Sequence, residues 1–135
     1  MSISLKELIK DTNFSSLDKD LQGNLMTLLE RINRVRDAYG KALIVTSGLR
    51  TKEDQIRIYK AKGITDMSKI PMGSQHIKGG AVDISDPKKE LQAWCLQNEA
   101  VLEKIGLWME SFDATPNWVH FQIVPPKSGS RWFKP

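Results

Sequence analysis

Between Asp18 and Tyr39, apolar residues recur at three- and four-residue steps: Leu21, Leu25, Leu28, Leu29, Ile32 and Val35. That spacing predicts an amphipathic helix with one stripe turned to a core. Ser16 stands where a cap would start it, Asp18 and Asp20 put negative charge in its first turn, and Gly40 can end it. The pattern then shortens. Ala42–Thr46 is apolar and β-branched, as a buried strand is, and Ser47-Gly48 breaks it. Lys52–Lys62 predicts a second helix, capped by Thr51 and stopped by Gly63. Residues 63–80 show no period, and a loop that long in a small chain is often functional. Ala81–Ser85 reads as another short strand. Asp86-Pro87 then opens a third helix, which runs to about Lys104 and ends at Gly106. Two strands, Leu107–Glu110 and Trp118–Val124, flank a turn at Asp113–Asn117. The expected fold class is α+β, with helices packed on a small, mostly antiparallel sheet.

At 135 residues the chain fits one domain, 1–135, with a helical part (1–40), a core (41–124) and a tail (125–135). Hydrophobic residues at 40% and charged residues at 27% suit a folded globular body. Cys95 is the one cysteine, so no internal disulfide can form, and it reads as a small buried hydrophobe. The net charge of +4 is spread along the chain, which argues against a nucleic-acid-binding face. No apolar run approaches the ~20 residues of a membrane span. The first residues also lack the basic start and apolar stretch of a secretory leader.

Chemistry concentrates around the two histidines. His76 lies in the long loop, and Asp83 follows seven residues later on the predicted strand 81–85. Gly79 and Gly80 let the backbone turn between them. Ala81 shares a strand face with Asp83, and its small side chain leaves room beside an ion. His120 sits in the middle of the last strand. Two imidazoles and one carboxylate make three protein ligands with a fourth position open, the arrangement of a catalytic zinc rather than a structural one. Spacing alone also allows a loop histidine and a strand aspartate with purely local hydrogen bonds.

The surrounding residues narrow this. Ser74-x-His76-x-x-Gly79-x-Ala81-x-Asp83, followed downstream by Trp118-Val119-His120, resembles the zinc signature of the M15 peptidases. That family includes D-alanyl-D-alanine carboxypeptidases and dipeptidases and phage L-alanyl-D-glutamate endolysins, and shares its fold with the hedgehog signalling domain. Ser47-Gly48-Leu49-Arg50, with Gln55 on the next helix, is similar to the family's Ser-Gly-Tyr-Arg segment, with leucine in place of tyrosine. The tail Val124–Phe133 looks like that of small phage and prophage members. The resemblance implies that His76, Asp83 and His120 bind Zn²⁺, which would acidify a bound water and polarise the scissile carbonyl. It implies that Arg50 holds a substrate carboxylate or carbonyl through its planar fork. Gln55 supports Arg50, and Ser74 and Trp118 are read with them as substrate-binding residues.

One position departs from the pattern. Several members place a carboxylate three residues before the last histidine, and here that residue is Asn117, which cannot accept a proton. If the last two strands pair about Thr115, Glu110 lies opposite His120, and directly opposed residues point to one face with Cβ atoms about 5 Å apart. Glu110 is therefore the expected general base, with Asp113 in the turn as the second choice. Trp118 and Trp108 alternate with His120 and Glu110, so they either floor a cleft or belong to the core.

The expected activity is hydrolysis of a peptide bond in the stem peptide of bacterial peptidoglycan, without nucleic-acid or membrane partners. The alternative is a non-catalytic zinc module of a phage particle or of cell-wall binding, which Asn117 favours. The expected route is synthesis in the cytoplasm and action on the wall after release or within a phage particle.

Overall fold

The computed structural model describes residues 2–135. The elements are α1 (Leu5–Ile9), α2 (Lys19–Tyr39), β1 (Val45–Ser47), α3 (Lys52–Ala61), β2 (Ala81–Ser85), α4 (Glu90–Gln97), α5 (Glu99–Ile105), β3 (Trp108–Glu110), β4 (Trp118–Gln122) and β5 (Trp132–Phe133). The strands form one sheet in the order β1-β2-β4-β3-β5. Pairing is antiparallel except between β3 and β5. This is the α+β arrangement expected, with a mixed sheet that is mostly antiparallel. Among the described residues, no helix is long and apolar enough to cross a membrane.

Period-two alternation sorts the sheet into two faces. Val82 and Ile84 of β2, Met109 of β3, and Val119 and Phe121 of β4 enter the hydrophobic core. There they join Leu25, Leu28, Ile32 and Val35, the buried stripe of α2. Burying each such side chain stabilises the fold by about 1.5–3 kcal/mol. Leu91, Cys95 and Leu102 complete the core from α4 and α5, so Cys95 is the buried hydrophobe expected. The alternate residues, Asp83, Glu110, Trp118 and His120, line a cavity outside this core.

Several local expectations are corrected. Ser16 does not cap α2. It lies in a short 3-10 helix, Phe14–Ser16, and the side chain of Asp18 accepts from the Leu21 N–H as the true cap. Strand β1 begins at Val45 and runs through Ser47, because it is a sheet edge whose register slips between those residues. The third helix is two. Its chain reverses at Lys89, and Asp86 reaches forward to accept from the N–H groups of Leu91 and Gln92. Asn98 then separates α4 from α5, its side chain donating to the Trp94 carbonyl. Helix α1 and strand β5 carry no periodic pattern of their own. They form because the rest of the fold offers them partners: α1 packs on α2 and β1, and β5 pairs with β3.

Candidate metal centre

Five strands each give one residue to a single row across the sheet. Ser47 pairs with Asp83, Asp83 with His120, and Glu110 with Phe133. The pairs Trp108–Gln122 and Met109–Phe121 fix the register of β3 on β4, which is centred on Thr115 and sets Glu110 opposite His120. His76 is brought to the row by the loop before β2. Gly79 turns that loop at φ +76° directly against α2, where a side chain would meet Leu21 and Leu25. Its neighbour Ala81 is fully buried opposite Gln122 and does not line the cavity, so its small size serves Gln122 rather than an ion.

His76, Asp83 and His120 are all buried, and their donor atoms lie within 4.8 Å of one another. Nε2 of His76 is 3.3 Å from Asp83 Oδ2, and Nδ1 of His120 is 2.9 Å from Asp83 Oδ1. A tetrahedral zinc with bonds of ~2.1 Å separates its ligand atoms by roughly 3.4 Å; the His76 spacing matches this, and the His120 spacing, to the other carboxylate oxygen, is at hydrogen-bond length.

The hydrogen bonds of the outer nitrogens strengthen the fit. Nδ1 of His76 is 2.9 Å from the Gly48 carbonyl and donates to it. Gln122 donates its amide to the Val124 carbonyl at 2.7 Å, which turns its oxygen toward His120 Nε2 at 2.8 Å. Each imidazole thus spends one N–H outward. The remaining lone pair on each ring then points at the Asp83 carboxylate, an arrangement that calls for a cation, either a proton or a metal. The charges of the site agree. Burial works against ionisation of Asp83, but hydrogen bonds from His120 and His76 outweigh it and hold its carboxyl well below the usual carboxylate range. Burial lowers the pKa of His120, but the hydrogen bond to Asp83 and the charge of Glu110 overcome it, and the net shift is upward.

A cavity of about 440 Å³ opens on this centre. Arg50, Gln55, Ser74 and Trp118 line it together with the three candidate ligands and Glu110. Arg50 Nε donates to Ser47 Oγ at 3.1 Å, and Nη1 donates to Gln55 Oε1 at 3.4 Å. Its Nη2 stands 3.8 Å from Asp83 Oδ2. Gln55 is buried and also donates to the Pro71 carbonyl, so it ties Arg50 to the long loop. Glu110 Oε1 is 3.7 Å from His120 Nδ1. Asp113 is exposed on its turn and does not line the cavity, and Asn117 is exposed as well. Trp108 also stays out of the cavity, carrying the Arg131 guanidinium at 4.5 Å from its ring centroid.

Sequence reasoning missed Gln122, Gly48 and Phe133. Alternation could have found Gln122, two residues beyond His120 on one strand face. Gly48 acts through its carbonyl and Phe133 through strand pairing, and neither leaves a mark in the pattern of side chains.

A family model described as Peptidase M15 matches residues 2–122. No curated protein matches the chain, and no solved structure does.

Proposed function

Because this chain belongs to the peptidase M15 family, we propose that it is a zinc metallopeptidase acting on the stem peptide of bacterial peptidoglycan, with His76, Asp83 and His120 as metal ligands. The observation that carries this reading is the convergence of both imidazoles on Asp83, with a carboxylate, Glu110, beside them in the same cavity. When bound, zinc supplies a Lewis acid for the scissile carbonyl and a water acidified toward neutrality.

The chain's own residues do the rest. Gly48 and Gln122 orient the two imidazoles by accepting their outer N–H groups. Glu110 accepts the proton of the attacking water and returns it to the leaving amine, the work of a general base and then a general acid. Arg50, braced by Ser47 and Gln55, binds a carboxylate or carbonyl of the substrate. Ser74 and Trp118 bound the same space. The alternative of a non-catalytic zinc module draws on Asn117 at the position where relatives carry a carboxylate; Glu110 supplies the missing group from the neighbouring strand.

The test is digestion of purified peptidoglycan, with mass spectrometry of the products and zinc analysis of the protein. The product masses also tell release of a terminal residue from internal cleavage. Glu110→Gln should keep zinc and lose a factor of ~100 to 10,000 in rate, the usual cost of removing a general base. Asp113→Asn should leave the rate near parental, and His120→Ala should lose zinc. Zinc retained in a parent protein that cuts no peptidoglycan would favour the non-catalytic module. Activity lost in Asp113→Asn but kept in Glu110→Gln would move the base to the turn.

A further inference from the structure

One face of α3 turns into the cavity. Gln55, Tyr59 and Lys62 follow one another at helical steps, and all three line it. Gln55 is buried and braces Arg50. Lys62 stands at the far end of the same face, where the helix stops. Its N–H donates to the Tyr59 carbonyl at 3.1 Å, and the N–H groups of Gly63 and Ile64 donate to the Lys60 and Tyr59 carbonyls at 2.9 and 3.0 Å. The backbone that carries Lys62 is therefore fixed. Its ammonium stands 4.9 Å from the Tyr59 ring centroid, and the face of such a ring attracts a cation. Among the described residues, no carboxylate lies within ion-pairing distance of Lys62. The carboxylates of the cavity are engaged elsewhere: Asp83 lies against both imidazoles and Glu110 against His120. The α3 side of the cleft thus presents two cations, Arg50 and Lys62, and only Arg50 has a role so far.

We propose that Lys62 is a second anion-binding residue of the cleft, so that the preferred substrate is an acidic peptide with one carboxylate at Arg50 and another about three residues away along its chain. This rests on the metallopeptidase reading above. The spacing comes from the helix. Lys62 lies two turns beyond Gln55, the residue that holds Arg50, and at about 1.5 Å of rise per residue that is roughly 10 Å. An extended peptide covers roughly 10 Å in about three residues. The Tyr59 ring carries the lysine stem and keeps the ammonium over the cavity, but it cannot satisfy the three donors of that group. A carboxylate can. Because Lys62 is exposed, the discrimination is modest: an exposed ion pair changes affinity by roughly 1.5- to 5-fold, and salt screens it.

The experiment titrates zinc-loaded full-length protein by calorimetry with two N-acetylated tetrapeptides, Glu-Ala-Ala-Ala and Gln-Ala-Ala-Ala, each with a free C-terminal carboxylate and each made in an L and a D series. Where a peptide is cut, the ratio of kcat/KM values replaces the ratio of affinities. The parent should favour the Glu peptide by roughly 1.5- to 5-fold at low salt. The preference should be present in about 10 mM salt, where charges act over ~30 Å, and vanish in about 1 M salt, where they act over ~3 Å. Lys62→Arg should keep it. Lys62→Met, which leaves an unbranched apolar stem against Tyr59, should abolish it, and Lys62→Glu should reverse it. Zinc content and the unfolding midpoint show that each variant is folded. A parent that binds neither peptide or does not distinguish them overturns the proposal. So does a parental ratio in Lys62→Met: a change confined to the unfolding midpoint would make Lys62 only a cation stabilising a helix end. Peptidoglycan digestion runs alongside. A charge preference in a protein that cuts no peptidoglycan would overturn the cell-wall reading and keep the anion site. Cleavage of peptidoglycan without the preference would do the reverse.

Discussion

Gly48→Ala probes how the candidate site is held from behind. A β-carbon on Gly48 would lie 2.4 Å from the Leu8 carbonyl oxygen, 2.9 Å from Leu8 Cα and 3.0 Å from Leu8 C. All three are backbone atoms of α1, so no side-chain rotation can relieve the clash. Ordinary van der Waals contact starts at 3.4 Å. The two segments must therefore separate by about 1 Å, and such overpacking typically costs about 1–3 kcal/mol. If α1 moves, it pulls the buried Leu8 and Ile9 out of the core and breaks the 2.8 Å bond from Leu49 N–H to the Leu8 carbonyl. If the loop moves, the Gly48 carbonyl leaves His76 Nδ1, now 2.9 Å away. Loss of such an outer partner to a metal-binding histidine typically costs 10- to 100-fold in metal affinity. Two assays separate the terms. The unfolding midpoint of metal-free protein should fall by about 3–15 °C, taking roughly 3–5 °C per kcal/mol at this chain length. Zinc affinity, read by competition with a chelator, should weaken by about 10- to 100-fold. Gly40→Ala is the control. It suffers a left-handed backbone at φ +78° but has nothing within 4 Å, so it should lose stability and keep zinc affinity. Parental stability and zinc affinity in Gly48→Ala would refute the reasoning.

Three further outcomes are expected. Gln122→Leu removes the acceptor for His120 Nε2–H and should weaken zinc by about 10- to 100-fold in a chelator competition while the circular dichroism spectrum stays parental. Gly23→Ala, inside α2 with open space around the position, should raise the unfolding midpoint, adding roughly 0.5–1 kcal/mol through helix propensity. The pKa of His120 is raised above 6.5 in the metal-free protein, so its stabilising contribution is complete below that value and is lost as pH rises through the higher folded-state pKa. Unfolding midpoints measured from pH 6 to 9 should show this loss without zinc. With zinc the trend should reverse, because the metal takes the place of the His120 proton and its apparent affinity rises with pH.

The linear order of residues determined a good deal of this protein. The stripe of α2, the cap and stop of α3, the strand at Ala81–Ser85 and the final hairpin are all local patterns, and each depends on periods and end signals that neighbours in sequence provide. The grouping of His76, Asp83 and His120 was legible because two histidines are all the chain has and both fall within recognisable segments. Even the pairing of Glu110 with His120 could be worked out, since a short hairpin fixes its own register about its turn. Other features were decided only in three dimensions. Ser16 lost the cap of α2 to Asp18, and the third helix broke at Asn98, because end geometry depends on which side chain reaches a free N–H. Helix α1 has no stable pattern by itself and forms against α2 and β1. Strand β5 is two residues long and exists because β3 leaves one edge unpaired. Through them, Leu8 holds Gly48 behind His76, and Phe133 closes the row beside Glu110. Those contacts join residues far apart in the chain, and only the packed sheet brings them within reach of one another.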